Sequence, residues 1–352
     1  MKFGLFNLMS FRNANQSQSN IYSNVLEQVQ LAEKIGFDTA WFAEHHFTNY
    51  SLCPSPLMMA AHCAAATSTI KLAPGVLIVP LYQPLRLLGE LAMVDQMSNG
   101  RLVVGLGSGY QHFEFDRFNV DISDSISMLH EQLDLIELAY ANDRIEYHGT
   151  HYRIPETPLC LRPIQSTPDV CIAGLGQHEP TQTRMAKKGY LPLLGAGPNG
   201  TPLLRKMRNT IDQFYTNAGI PSDNSLFSYQ SYVHITDSKQ EALRVADNYR
   251  WVGRVAATMR GNNQHLSGTM LQEESVDGEA TLEEFIANTA IGTVEEVAEK
   301  LSKQIVELKP SHVTCFMQPG EIEHKHAMNS LQRFGAEVIP MIENEIGPLS
   351  AI

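Results

Sequence analysis

Residues 44–46 set a carboxylic acid beside two imidazoles, Glu44-His45-His46, within the segment GFDTAWFAEHHF (36–47). An acid next to an imidazole can move protons near neutral pH, because histidine is the side chain whose ordinary pKa lies there. Metal binding is a second use. Successive residues of an extended chain point to opposite faces, however, so two adjacent histidines are poorly placed to share one ion, and no metal is expected. A third reading has all three groups hydrogen-bonded in place with no chemistry, and this stretch by itself leaves that open. Three glycine segments come next: Gly105-Leu106-Gly107-Ser108-Gly109-Tyr110, Ala173-Gly174-Leu175-Gly176-Gln177 and Pro74-Gly75-Val76. Alternating glycines bare backbone N–H groups to an anion and let a flat ring approach. The second segment leads into a helix expected near Pro180-Thr181, the setting of a phosphate site at a helix N-terminus. No segment carries the GKS/T of a triphosphate loop. The first lacks the clean helix and third glycine of a dinucleotide fingerprint. A glycine inside a buried strand, as at Gly75, marks a bulge or the close approach of a ligand. Plain turns and relief of packing compete with each of these readings.

The elements that must hold these groups follow a regular rhythm. Gly36 closes a helix, and 38–43 reads as a buried parallel strand that delivers Glu44–His46 at its carboxyl end, where ligands collect in parallel α/β folds. Further strands are expected at 3–9, 71–79, 101–106, 169–173, 190–194, 226–235 and 311–318, with helices between them and a small hairpin about Gly149. The helix-to-strand turns are short (Gly36, Asn99-Gly100, Gly189), and the long segments follow strands. Eight strand–helix units argue for a TIM barrel, as a single domain over 1–352 with insertions at the C-terminal face. An open doubly wound sheet competes, but usually stops at about five to seven strands. Residues 256–289 show no clear period and read as an excursion, a possible lid. The helix at 57–67 is apolar nearly all round, so it is buried on more than one side.

A net charge of −12 disfavours nucleic acid and anionic membrane, both of which need a basic footprint. Five cysteines without a CxxC pair read as reduced, in keeping with a cytoplasmic protein. No run approaches the ~18 apolar residues of a membrane span.

Taken together, these features resemble the bacterial luciferase-like flavin-dependent monooxygenases nearly end to end. MKFGLF, GFDTAWFAEHHF, KLAPGVLIVPLYQPLRL, VDQMSNGR with GLGSG, GTVEEVAEKL and LQRFGAEVIPMIEN carry the likeness. The resemblance implies a TIM barrel that binds reduced FMN at its carboxyl face and uses O2, through a peroxyflavin, to oxidise a small organic substrate. A separate flavin reductase would supply the FMN. His45 matches the family's acid/base histidine and Glu44 the acid beside it. Gly75 and Val76 match a pair whose peptide, in cis, lies against the isoalloxazine, and Phe6 matches a ring-facing position. Ser108, Gly109 and Tyr110, with Gly174, Gly176, Gln177 and Thr181, match the phosphate side. Where bacterial luciferase has a reactive cysteine and a phosphate-binding arginine, this chain has Gly107 and Ser108. That argues against light emission, and leaves the phosphate to backbone N–H groups, hydroxyls and Arg184, with His112 and His178 as further candidates. A rim of Phe11, Tyr50, Phe113 and Phe115 would favour an apolar or aromatic substrate. Family members pair, so the resemblance also implies a homodimer through the helices at 57–67 and 84–97. Two alternatives stand beside this reading: a deazaflavin-dependent hydride-transfer enzyme on the same barrel, and a non-catalytic flavin-binding relative.

Overall fold

The computed structural model describes residues 1–174, 178–261 and 264–352. Its strands are β1 (Lys2–Asn7), β2 (Thr39–Phe42), β3 (Lys71–Pro74), β4 (Leu77–Ile78) and β5 (Val103–Gly107), followed by a hairpin of β6 (Arg144–His148) and β7 (Arg153–Pro158). Then come β8 (Asp169–Ala173), β9 (Leu191–Gly195), β10 (Ser228–Ile235), a second hairpin of β11 (Leu266–Ser267) and β12 (Met270–Leu271), β13 (Ala290–Gly292) and β14 (His312–Phe316). The main ladder runs β3-β2-β1-β14-β10-β9-β8-β5-β4, with β13 paired to β10. Its neighbours are parallel: Lys2 pairs with His312, Gly4 with Thr39, and Val103 with Asp169. β3 and β4 are two halves of one stave. A parallel bridge from Leu72 to Leu102 and the pairing of β4 with β5 bring the ends of the ladder together. The result is a nearly closed TIM-type barrel, with helices returning outside it.

The helices follow from their sequence spacing. Val294–Leu308 begins with a capping box, in which the Thr293 hydroxyl accepts from the Glu296 N–H while the Glu296 carboxylate accepts from the Thr293 N–H. Val294, Val297, Ala298, Leu301, Ile305 and Leu308 recur every three or four residues and are buried, and Lys309 ends the helix in a left-handed conformation. Burying such a leucine or isoleucine is worth about 1.5–3 kcal/mol each.

Several boundaries differ from the sequence expectation. The strand expected at 71–79 is broken at Gly75-Val76, whose peptide bond is cis. The helix after β10 is Lys239–Arg260, capped by Ser238, while the neighbouring Asp237 pairs with Arg333. In 256–289, the structure places that helix end, the β11–β12 hairpin and a short helix, Leu282–Asn288. Charge ties this region down: Arg254 pairs with Glu273 and Glu279, and Arg12 with Asp247 and Glu273. β13 escaped a reading by period because it has three residues, too few to show alternation. Among the described residues, no helix is long and apolar enough to cross a membrane. The five cysteines are free thiols.

Candidate active site

β2 runs Thr39–Phe42 with every residue buried, and the chain leaves its carboxyl end through Ala43 and Glu44 into His45. His45 Nδ1 lies 3.1 Å from Glu114 Oε1. The Gln111 amide nitrogen lies 3.2 Å from the same Nδ1, but the Glu114 contact is the shorter and a carboxylate only accepts, so Nδ1–H donates to Glu114. The same Oε1 accepts the His46 backbone N–H at 2.7 Å. With Nδ1 occupied as a donor, Nε2 is the nitrogen left with a lone pair. His45 is 9 % exposed, lines the main cavity, and has the rings of Tyr50 and Tyr110 at 4.7 and 5.9 Å. This arrangement gives a base held in one tautomer by a buried acid.

Glu44, the acid expected to serve His45, serves His46. Glu44 Oε1 lies 2.9 Å from His46 Nε2. Its Oε2 accepts from the Tyr82 hydroxyl at 2.8 Å and the Ile78 N–H at 3.1 Å. Burial pushes the Glu44 carboxyl above its ordinary pKa, while His46, Tyr82 and Ile78 pull the other way. Glu44 therefore fastens the end of β2 to β4. The ring of His46 turns away from the cavity and packs on Phe118, with centroids 4.8 Å apart.

A cavity of about 1360 Å³ opens at this carboxyl end. Gly75, Val76 and Gly107 line part of it, with Ala173, Gly174 and Leu193 beyond. The glycines are required by contact. A Cβ on Gly107 would stand 2.6 Å from Val76 Cγ2, and one on Gly109 would stand 2.5 Å from Phe115. Phe6 lies behind this floor, with its ring 3.5 Å from where a Gly75 Cβ would be.

Comparison with known proteins places this geometry. The luciferase-like monooxygenase family matches residues 1–312. The chain belongs to the luciferase-like monooxygenase family. It is 35 % identical over 349 residues to the Sinorhizobium fredii protein y4vJ, covering 99 % of each chain. It is 27 % identical over 351 residues to the oxygenase component of the flavin-dependent trigonelline monooxygenase of Acinetobacter baylyi, covering 97 % of this chain and 95 % of that one. Among solved structures it resembles the oxygenating constituent of 3,6-diketocamphane monooxygenase from Pseudomonas putida, crystallised with FMN. The TM-score is 0.77 and the identity 18 %, over 97 % of this chain and 98 % of that one, a likeness of fold alone. Luciferase-like monooxygenases are oxidoreductases.

The cavity fits the flavin that the family implies. Its volume exceeds the roughly 300–1,000 Å³ of an ordinary ligand pocket, leaving room for a substrate beside a flavin. The bare edge of Gly75, Val76 and Gly107 would receive a flat ring, and Ser108, Gly109 and Tyr110 line the same space. Gly174 lines the cavity too, whereas Gly176 and Gln177 lie outside the described residues. Thr181 sits in the first turn of the helix Glu179–Lys188, but its hydroxyl is engaged by His130 at 2.6 Å and His178 at 3.3 Å, and it does not line the cavity. Arg184 is committed to Asp134 and Glu137, which removes it as a free phosphate ligand. His112 and His178 are exposed side chains outside the cavity lining. Of the expected rim, Tyr50 lines the cavity, while Phe11, Phe113 and Phe115 are buried in the packing behind it.

Glu114, Gln111 and Tyr82 were the residues the sequence reading missed. The segment after Gly109, expected not to open a clean helix, forms a seven-residue helix, His112–Phe118, ended by Asn119 at φ 55°. The signal was there in Gln111-x-x-Glu114, a spacing that brings two polar side chains to one side of a first turn. Nothing in the local sequence said that this turn would lie over His45, which is 69 residues away.

Proposed function

We propose that this chain is a flavin-dependent monooxygenase that takes reduced FMN from a separate reductase and uses O2 to oxidise a small organic substrate. One observation carries the reading: His45, fixed by Glu114 in a defined tautomer, opens onto the same cavity as the glycine floor of Gly75, Val76 and Gly107. Reduced flavin, when bound, supplies the electrons and the activation of O2. The protein seats the ring on the glycine floor, holds a proton-accepting nitrogen beside it, and keeps water out. Asp277, Gly278 and Glu279, from the excursion at 256–289, line the cavity from outside, a position from which they would act as a lid. The Acinetobacter baylyi relative is named as an oxygenase component, which supports a reductase partner for this chain.

Anaerobic titration with reduced FMN, and separately with a reduced deazaflavin, followed by an O2 pulse, tests the reading. Reduced FMN should bind more tightly than oxidised FMN, and O2 should be consumed. Selective binding of the deazaflavin, with no O2 uptake, would assign a hydride-transfer enzyme. Tight flavin binding with neither reaction would leave a carrier.

The same reading includes a homodimer. The helices Pro56–Ala64 and Pro84–Met97 pack together and present Met58, Met93 and Met97, at 73 %, 54 % and 51 % exposure, on the outer surface. Light scattering at micromolar concentration should give twice the 39.2 kDa chain mass, and a monomer mass would remove this part of the proposal.

A further inference from the structure

The helix Lys239–Arg260 borders the cavity and brings three guanidinium groups to it, Arg250, Arg254 and Arg260. Two of them are already paired. Arg250 donates to Asp247 at 2.9 Å, and Arg254 is held by Glu273 and Glu279. Arg260 makes no ion pair with the described residues, in a chain with twelve more acidic than basic side chains. Instead its guanidinium lies over the ring of Tyr110, 4.8 Å from the centroid, and Tyr110 packs in turn against His45. Three phenols, Tyr50, Tyr110 and Tyr232, line the same cavity as Arg260. The Tyr110 ring, 38 % exposed, is open to the cavity, while its hydroxyl accepts from Gln111 and meets that of Tyr50. Tyr232, Tyr249 and Phe285 line the same cavity as an aromatic wall, with Tyr232 stacked on Tyr249 at 4.3 Å and parallel to Phe285 at 5.8 Å. A cation without a counter-ion among the described residues, lying over a phenol ring in a cavity that aromatic side chains also line, is a receptor for a flat molecule with an anionic end.

We propose that the substrate of this site carries a carboxylate, which Arg260 pairs while the wall of Tyr232 and Phe285 covers the apolar body. The proposal rests on the flavin reading above, because it concerns what enters beside the flavin. Two oxyanions are within the chemistry of the cavity, the flavin phosphate and a substrate carboxylate. We assign Arg260 to the carboxylate. The phosphate has its own candidate donors in the glycine segments, and Arg260 lies one ring away from His45, where the reacting end of a substrate must be. Arg260→Met and Arg260→Lys change an exposed residue in the last turn of a helix, so both variants should fold.

Calorimetric titration of the full-length protein with benzoate, phenylacetate and 4-hydroxybenzoate, and with the matching neutral amides, reads the site directly. The same proteins are titrated anaerobically with reduced FMN and reduced riboflavin. At least one carboxylate should bind the wild type about tenfold or more tightly than its amide. Arg260→Met should remove that preference, Arg260→Lys should restore part of it, and FMN affinity should not move. Carboxylate binding that is absent in the wild type, or unchanged in Arg260→Met, overturns the proposal. So does an Arg260→Met protein that loses affinity for FMN but not for riboflavin, since the anion held would then be the flavin phosphate. If reduced FMN fails to bind while carboxylates still bind through Arg260, the flavin reading falls and the anion site stands.

Discussion

His312 opens β14 at the amino end of the barrel, and His45 follows β2 at the carboxyl end. Both imidazoles are buried, and each keeps company with an acid and an aromatic ring. At the amino end the Trp41 indole N–H donates to His312 Nε2 at 3.3 Å, and the space for both comes from Gly4, where a Cβ would stand 2.4 Å from that nitrogen. Burial pushes the His312 pKa down to about 4, and Asp38, which works against the shift, is itself engaged by Lys2. His312 is not among the residues that line the cavity His45 borders. At the carboxyl end His45 has its acid in direct contact through Nδ1, and its other face lines a cavity of about 1360 Å³. Glu114 Oε2 and Gln111 Oε1 make no hydrogen bond with the described residues, although both are buried. The contrast is between a polar cluster that fixes strand ends and one whose histidine borders a cavity. In barrels of this type, the carboxyl end is where chemistry collects, and the amino end is where stability does.

The sharpest way to break the comparison is to remove each imidazole. His45→Ala should fold and bind reduced FMN, yet lose product formation by about 10²–10⁴-fold, with O2 uptake ending in hydrogen peroxide instead of product. Glu114→Gln should lower kcat by a smaller factor, because the amide oxygen can still accept from the ring N–H that Glu114 now holds. Stopped-flow turnover with product analysis reads both. Normal turnover by His45→Ala would place the proton route elsewhere in the cavity and end the contrast drawn here.

Glu44 belongs to the structural side of the comparison, although it sits at the catalytic end. Glu44→Leu leaves the Tyr82 hydroxyl and the Ile78 N–H, both of which donate to the carboxylate, without a partner. The cost should be about 2 kcal/mol, read as a lower denaturation midpoint. Flavin affinity should fall less than stability does. His46→Ala should behave in the same way, since its ring is spent on Glu44 and Phe118. A Glu44 variant of unchanged stability that had lost turnover would move Glu44 to the other side of the comparison.

The pH dependence of stability sharpens the amino-end half. His312 titrates near 6.5 when unfolded and at about 4 when folded, so between those values the unfolded chain binds the extra proton. Stability is therefore fully present above about pH 6.5 and is lost as pH falls toward 4. His312→Asn should flatten that slope by about 1–2 kcal/mol, seen in denaturation midpoints at pH 7 and pH 4.5. Activity at pH 7 should be little changed, and an unchanged slope would show that another group carries the acid sensitivity.

The sequence made one of these two histidines visible. Eight strands separated by helices, with short returns at Gly36, Asn99-Gly100 and Gly189, were legible because hydrophobic runs and turn residues are local signals. The strand-end position of His45 followed from them, and so did the glycine floor. His312 stood out to no local rule. Its meaning comes from Gly4 and Trp41, brought to it by the pairing of β1 with β14 and with β2. The pairing of acids with imidazoles was misread for the same reason. Sequence adjacency joined Glu44 to His45, whereas the fold gives Glu44 to His46 and brings Glu114 to His45 from 69 residues away. Arg260 was hidden inside an excursion that has no period of its own, and the absence of a counter-ion is a property of three dimensions.

Away from both histidines, one acid tests whether the amino end is stabilised by more than the His312 cluster. Glu33 is half-buried near the end of the helix Gln18–Lys34, and its Oε1 accepts the backbone N–H groups of Ser68, Thr69 and Ile70 at 2.7, 2.6 and 3.0 Å. Those bonds clasp the turn that feeds β3. Burial works to raise the Glu33 pKa, but the N–H groups of Thr69, Ile70 and Ser68 and the Thr69 hydroxyl outweigh it and bring it down to about 2. An acid whose folded pKa is depressed stabilises the fold above its unfolded value, and that contribution is lost as pH falls through the folded one. The window here runs from about pH 4.5 down to about 2. Because the carboxylate is in part solvated, screening leaves about 1 kcal/mol for Glu33→Gln at pH 7. The variant and the wild type should converge in stability as pH approaches 2, in a lower pH window than the loss at His312, which is complete by about pH 4. Urea denaturation of both variants from pH 7 to pH 2.5 separates the two contributions. Parallel curves for Glu33→Gln and the wild type across that range would mean that the clasp acts through shape and not through charge.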